Sequence, residues 1–274
     1  MTRAAPSVQA CWQGCELGRY TCIDVLGEGG SGVVVRARDR LCGREVAIKL
    51  PRSLCPAPAR RWIVRARLLR EAEALRAARH PNVVGLYEAV VAGGLVYLVM
   101  PVLDAAPLDR RRVTWRAGRA VGLQIGAALA RVHAAGLVHR DVAPRNILVA
   151  ASGHAWLIDF GLARALGPPQ AGEDSFAALA LSGSGPGPGT QRFTAPEQRR
   201  GEAVDGRADQ YGLCASLWRC ITGAAPGEGP AVDLDVALPE RLAGVLRRGL
   251  AERPERRHGD MRALVTALAG CGST

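Results

Sequence analysis

Apolar residues in the first hundred positions recur mostly in alternation or in short runs, the pattern of strands separated by turns. Tyr20–Leu26, Val33–Arg38 and Arg44–Leu50 read as three strands joined by Gly-rich and polar turns, as in an antiparallel meander. The period then changes. Over residues 59–79, Ile63, Leu68, Leu69, Ala72 and Leu75 fall at helical spacing, and His80-Pro81-Asn82 stops the helix. Two further strands are expected near Val83–Val90 and Leu95–Val99. Beyond about Pro107 helix dominates: residues 114–135 place Val121, Ile125, Ala128, Leu129 and Val132 on one face. Short apolar runs at 146–149 and 155–158 fit a small hairpin, and helical patterns return from about residue 207. Residues 1–18 carry no period and read as an irregular leader. Residues 165–190 read as loop, with Ser182–Gly189 nearly all Ser, Gly and Pro. The expected fold class is α+β, a small antiparallel sheet with one helix followed by a larger, mainly helical part.

Composition narrows the function classes. At 274 residues, 48% hydrophobic and 22% charged, the chain can bury a sizeable core. A net charge of +11 raises the question of nucleic acid. The arginines, however, are spread from Arg3 to Arg262, and only 4% of residues are aromatic, so stacking platforms for bases are scarce. No nucleic-acid partner is expected. Eight cysteines form no repeated CxxC pairs, and Cys11 and Cys15 lack a nearby histidine, so free thiols in a reducing compartment explain them better than zinc. The N-terminus has no signal-peptide core, and the most apolar stretch, Leu95–Leu103, is too short to span a bilayer. The expectation is a cytoplasmic protein without a membrane anchor.

Two constellations carry chemistry. The first is Gly27-Glu28-Gly29-Gly30-Ser31-Gly32-Val33-Val34, flanked by strands. Glycines at this spacing let a tight hairpin lay backbone N–H groups over phosphates. A dinucleotide-binding turn would need a helix straight after the glycines, whereas Val33-Val34-Val35 continues as strand. Seventeen residues after Gly32 comes Val46-Ala47-Ile48-Lys49, and Lys49 is the chain's only lysine among 36 basic residues. A single compact ammonium in an otherwise arginine-using sequence points to a geometric demand that a guanidinium cannot meet. Inside a strand it needs an acidic partner, and the helix at 59–79 offers Glu71 and Glu73.

The second constellation is His139-Arg140-Asp141-Val142-Ala143-Pro144-Arg145-Asn146, with Asp159-Phe160-Gly161 thirteen residues after Asn146. Two carboxylates and a carboxamide are hard oxygen donors, suited to Mg²⁺ and to a substrate hydroxyl. Asn146 is one of two asparagines and Phe160 one of three phenylalanines, so rare residue types fall inside the motifs.

The Gly-rich loop, VAIK, HRD-x-x-x-x-N, DFG and Ala195-Pro196-Glu197 occur in the order and approximate spacing of the protein-kinase signature set, over roughly residues 18–270. The chain most resembles the bacterial serine/threonine kinases of the eukaryotic-like type. That resemblance implies a bilobal fold, with an ATP-binding N-lobe over 19–102, a C-lobe over 103–271 and an activation loop at 159–197. It implies ATP and Mg²⁺ as cofactors and protein substrates, with a regulatory protein partner, phosphorylation or expression supplying the control for which the chain carries no sensor segment.

By resemblance, residues Leu26 to Val34 (Leu26, Gly27, Glu28, Gly29, Gly30, Ser31, Gly32, Val33, Val34) would cover the nucleotide, and Lys49 would contact its α- and β-phosphates. Glu71, nine residues before His80, is the favoured partner of Lys49. Met100 would be the gatekeeper, Pro101 would offer its carbonyl and Leu103 its N–H to adenine, with Val34, Ala47 and Leu148 as apolar walls. Asp141 would orient the attacking hydroxyl and accept its proton, while Asn146 and Asp159 would hold Mg²⁺. Glu197 would pair with buried Arg257, and Asp209 would brace the catalytic loop. Autophosphorylation is expected among Ser175, Ser182, Ser184, Thr190 and Thr194.

One departure stands out. Serine/threonine kinases usually carry lysine two residues after the catalytic aspartate; here that position is Ala143. Arg145 stands where tyrosine kinases carry an arginine and would reach the same γ-phosphate region, although Gly189-Thr190 weighs towards serine/threonine specificity. Ala143 and the Gly/Pro-rich loop feed the alternative of a pseudokinase scaffold that binds partners with little catalysis, against which Lys49, Asp141, Asn146 and Asp159 all stand. A small-molecule phosphotransferase would generally lack the glycine loop and the APE segment.

Overall fold

The computed structural model describes residues 12–29, 32–51, 58–92, 95–110, 112–165, 191–224 and 238–272. The chain divides into two compact units, one of residues up to Arg76 with Gly85–Leu103, the other of Ala77–Val84 with Asp104 onward.

In the first unit the alternating apolar positions become one antiparallel sheet of six strands: β1 (Glu16–Leu17), β2 (Tyr20–Gly29), β3 (Gly32–Asp39), β4 (Glu45–Leu50), β5 (Glu88–Ala92) and β6 (Leu95–Pro101), in the order β1-β2-β3-β4-β6-β5. Period-2 alternation sends Val33, Val35 and Ala37 to one face, where they pack with Tyr20, Cys22, Val46, Ile48, Leu50, Tyr97 and Val99. Helix α1 (Pro58–Ala77) interrupts the sheet in sequence between β4 and β5.

Two expectations are corrected here. The leader assigned to residues 1–18 is structured from residue 12 onward, and Trp12 lies 4% exposed in the core of the sheet. Cys15 N–H closes a turn on the Trp12 carbonyl (3.1 Å), Gly14 sits at φ 77°, and Cys22 accepts from Gly14 and donates to Cys15 (3.0 and 2.9 Å). This is a glycine bulge against β2. A lone tryptophan and a two-residue strand have no period to read. The strand expected at Val83–Val90 begins only at Glu88. The start of the stretch pairs within the second unit instead: Val84 N–H donates to the Leu157 carbonyl (3.0 Å) and Leu157 N–H to the Asn82 carbonyl (2.8 Å), while Tyr87 N–H donates to the Val99 carbonyl (2.8 Å) in the first unit.

The second unit is built on α2 (Trp115–Ala134) and α4 (Gly206–Thr222), with α3 (Pro196–Arg199), α5 (Glu240–Gly249) and α6 (Met261–Ala269). Thr114, Asp205 and Asp260 cap α2, α4 and α6 by accepting backbone N–H bonds, at 3.2, 2.8 and 2.8 Å. Gly118, Gly122 and Gly126 share one face of α2. A Cβ there would lie 2.7, 2.8 and 2.6 Å from Ile221, Leu217 and Val265, so the bare backbone is what lets α4 and α6 approach. Short strands β7 (Ala106–Pro107), β9 (Ile147–Val149) and β10 (Ala155–Leu157) form a three-stranded sheet, and β8 (Leu137–Val138) pairs with β11 (Arg164–Ala165). Among the described residues, no helix is long and apolar enough to cross a membrane.

Candidate active site

In the first unit the glycine loop is the turn of the β2–β3 hairpin, with Gly27 opposite Val34, Glu28 opposite Val33 and Gly29 opposite Gly32; Gly30 and Ser31 lie outside the described residues. A register shift between Val25 and Gly27 leaves Leu26 as the extra residue, 41% exposed. Gly32 has φ 143°, and a Cβ on it would stand 2.2 Å from the Leu50 carbonyl oxygen, so only glycine fits. Val33 turns its side chain into the core, which leaves backbone groups alone for any contact with a ligand, while Val34 on the other face is half-buried.

Val34 lies directly opposite Lys49 on β4. The Lys49 ammonium reaches α1 and donates to both oxygens of Glu71, at 2.6 and 2.8 Å, with side chains 5% and 3% exposed. Glu71 rather than Glu73 is therefore the partner, since Glu73 points to solvent. Ala47 is paired with Met100 and both are buried; Pro101 and Leu103 are half-buried.

In the second unit the chain between β8 and β9 is held by a single carboxylate. Asp209, fully enclosed on α4, accepts from the backbone N–H of His139 (2.9 Å) and Arg140 (2.8 Å) and from the His133 ring (2.8 Å). Burial alone would raise its pKa, but the His133 hydrogen bond and the neighbouring imidazoles and N–H groups outweigh that and hold it below the usual carboxylate range. Arg140 takes the left-handed conformation, φ 67°, as does Asp159 at φ 64°. Strain of this kind persists only where surrounding contacts over-determine it.

Asp141 follows. One terminal nitrogen of Arg145 lies 2.8 Å from each of its carboxylate oxygens, and the Asn146 amide donates to its carbonyl (2.8 Å) and carboxylate (3.0 Å). Burial pushes the Asp141 carboxyl above its ordinary pKa; the Arg145 cation opposes this, and the Asp159 charge adds to it. Because the Asn146 nitrogen faces Asp141, its oxygen is the end suited to a cation. Ile158 N–H donates to the Asn146 carbonyl (2.9 Å), which ties the chain entering Asp159 to this loop. His139 packs edge-on against Phe160, ring centroids 4.7 Å apart. Leu148, on β9 opposite Trp156, is half-buried.

Ala195-Pro196-Glu197 is anchored as expected, Glu197 meeting Arg257 at 2.6 and 2.7 Å. Thr194 is buried, 7% exposed; Ser175, Ser182, Ser184 and Thr190 lie outside the described residues. Two residues escaped the sequence reading. Gln198 is buried and bonds the Arg140 carbonyl, and Gly212 on α4 lies against Val142 and Phe193. The signal for Gln198 was its place as the third residue of a Pro-led helix, where a glutamine side chain can cap.

A glycine hairpin beside a buried lysine–glutamate pair, and an Asp–Arg–Asn loop braced by a helical aspartate, are the parts of a protein kinase. The chain belongs to the protein kinase domain family, whose profile matches residues 20–242. It is 34% identical to the serine/threonine-protein kinase PknD of Mycobacterium tuberculosis over 94% of its length, and 34% identical to the DNA damage-responsive serine/threonine-protein kinase RqkA of Deinococcus radiodurans over 88%. It spans only 39% and 37% of those two proteins. Among solved structures, the kinase domain of M. tuberculosis PknI superposes with a TM-score of 0.68 at 28% identity, covering 94% of this chain and 97% of that one. The fold is thus that of the protein kinases, a family that uses ATP and a divalent metal.

Proposed function

We propose that the chain transfers the γ-phosphoryl group of ATP to serine and threonine hydroxyls of protein substrates, with Mg²⁺ as the metal. The observation that carries this is the Lys49–Glu71 pair. A chain that otherwise uses arginine keeps its one lysine buried and bonded to both oxygens of a glutamate. Burying an ion pair costs desolvation that the pair seldom repays in stability, so its retention speaks for a task. A compact ammonium aimed by a carboxylate suits the phosphates of a nucleotide.

Residues 19–102 form the nucleotide-binding part in this reading. Backbone N–H groups from Leu26 to Val34 cover the phosphates, Lys49 grips them, and Met100, the Pro101 carbonyl and the Leu103 N–H receive adenine beside Val34, Ala47 and Leu148. Residues 103–271 supply the chemistry. Asp141 orients the acceptor hydroxyl and takes its proton, and Arg145 steadies Asp141 and faces the transferring group. Asn146 and Asp159 fit Mg²⁺ by their chemistry, since Mg²⁺ favours a few hard protein oxygens together with substrate phosphates over an all-protein cage. Bound there, the ion neutralises charge that spreads over the phosphoryl oxygens. ATP is held in the cytoplasm, where we place the activity, and self-phosphorylation falls somewhere among Ser175, Ser182, Ser184 and Thr190.

Incubation with γ-labelled ATP, Mg²⁺ and casein tests the reading. Wild-type protein is expected to label casein on serine or threonine and Asp141→Ala to leave it unlabelled. Equal labelling by the two would reject the proposal, and phosphopeptide mapping that found residues 159–197 unmodified would reject self-phosphorylation.

A further inference from the structure

Arg140 has a backbone that few residues tolerate, and both of its peptide groups are taken. Its N–H donates to Asp209 (2.8 Å), and its carbonyl accepts from the Gln198 side-chain amide (3.0 Å). The other end of that amide, Oε1, accepts from the Ala195 N–H (3.4 Å). Gln198 is 7% exposed, so neither end exchanges readily with water. One side chain therefore joins the loop that carries Asp141 to the segment that leads into Ala195-Pro196-Glu197. The same two segments converge a second time on α4. A Cβ at Gly212 would stand 2.6 Å from the Val142 carbonyl oxygen and 3.4 Å from that of Phe193. Glu197, next in the chain, faces the other way and is held by Arg257, so its role in packing is separate from that of Gln198.

We infer that Gln198 is a positioning residue that sets the register between Asp141 and the protein acceptor lying along residues 191–197. This rests on the reading of Asp141 as the group that receives the acceptor hydroxyl. Phosphoryl transfer to a hydroxyl is sensitive to misplacement on the scale of an ångström. A tether through Arg140, one residue from Asp141, shifts that carboxylate relative to the bound protein chain whenever it is cut. Water needs no such register, so hydrolysis of ATP without an acceptor does not depend on the clamp.

Two variants separate the ends. Gln198→Met keeps the length and removes both bonds, whereas Gln198→Glu keeps the acceptor for Ala195 and loses the donor to Arg140. With casein-derived peptide as acceptor, each is expected to lower kcat/KM for the peptide roughly tenfold. The KM for ATP and the acceptor-free hydrolysis of ATP should stay within about twofold of wild type, since neither relies on the tether. Amide hydrogen exchange, which needs no turnover, should rise in residues 139–142 and 191–197 of Gln198→Met. Unchanged kcat/KM for the peptide, or unchanged exchange, in a variant with a wild-type melting curve overturns the clamp while leaving the kinase reading intact. Raised exchange in Gln198→Met, alongside a wild-type protein that labels no acceptor, overturns the kinase reading and with it the acceptor role of Gln198. If Gln198→Met does not fold, Gln198→Glu carries the same comparison.

Discussion

Arg257 meets Glu197 as a two-point fork, Nη1 donating to Oε1 at 2.6 Å and Nη2 to Oε2 at 2.7 Å, with side chains 0% and 3% exposed. The remaining guanidinium protons go to the carbonyls of Ala251, Arg207 and Glu252, so all five N–H donors are used. Lysine brings three protons in a different geometry and leaves carbonyls without a donor. Arg257→Lys and Glu197→Gln should each lower the unfolding free energy by about 3 kcal/mol or more, because each leaves an uncompensated charge or a broken network in a buried place. Urea denaturation followed by circular dichroism reads this directly; a loss below about 1 kcal/mol would mean that the fork is a bystander.

Asp209 makes stability depend on pH in one direction. Burial works against its charged form, yet the His133 bond and the His139 and Arg140 N–H groups win, so the folded pKa lies below the unfolded value of about 3.9. The unfolded state then binds the proton more readily than the folded state. The stabilisation is fully present above about pH 4 and disappears as pH falls through the folded pKa. Asp209→Asn turns N–H donors towards N–H donors and should cost about 3 kcal/mol at neutral pH. The gap between wild type and variant should narrow in acid below about pH 4, as urea midpoints taken across pH will record. A gap that stays constant down to pH 3 would contradict the assignment.

The outline of the fold was legible because long periodic segments announce themselves. The pattern over 59–79 became a helix at Pro58–Ala77, that over 114–135 a helix at Trp115–Ala134, and the runs at 146–149 and 155–158 an antiparallel pair. Long-range partners were legible only where a motif fixes them, as for Glu71, Asp209 and Arg257. What escaped has no period or motif. Trp12 is one residue, the Gly14 bulge is a matter of backbone dihedrals, and Val83 and Val84 follow hydrogen-bond partners in the second unit rather than their own apolar pattern. Gln198 escaped because its task depends on the unusual backbone of Arg140, which lies far from it in sequence.

The glycine loop makes a graded prediction. An added Cβ at Gly32 collides with the Leu50 carbonyl oxygen at 2.2 Å on a backbone of φ 143°, whereas one at Gly27 meets nothing within 4 Å. Gly32→Ala must distort the hairpin and should cost roughly 2 kcal/mol, within the range for a residue forced into a disfavoured backbone conformation. Gly27→Ala should change stability by less than about 0.5 kcal/mol, as surface substitutions away from such strain do. Thermal unfolding of the two variants side by side checks this, and equal melting temperatures would refute it.

Arg145 offers the sharpest separation of chemistry from fold. Its side chain is 40% exposed and that of Asp141 12% exposed, and their contact runs through one nitrogen. A pair this open to solvent contributes at most about 1 kcal/mol to stability. Its consequences for turnover are larger, because Arg145 fixes both oxygens of the group that would receive the acceptor proton. Arg145→Ala should therefore lower kcat at least roughly tenfold while the KM for ATP stays within about twofold and the melting curve barely moves. Arg145→Lys should recover part of the loss, since an ammonium can meet both carboxylate oxygens through one nitrogen, as Lys49 meets Glu71, but from a shorter side chain. Steady-state kinetics on the three proteins decides the matter. Turnover unchanged in Arg145→Ala would show that Asp141 needs no cation beside it, and would move the compensation for Ala143 to another residue.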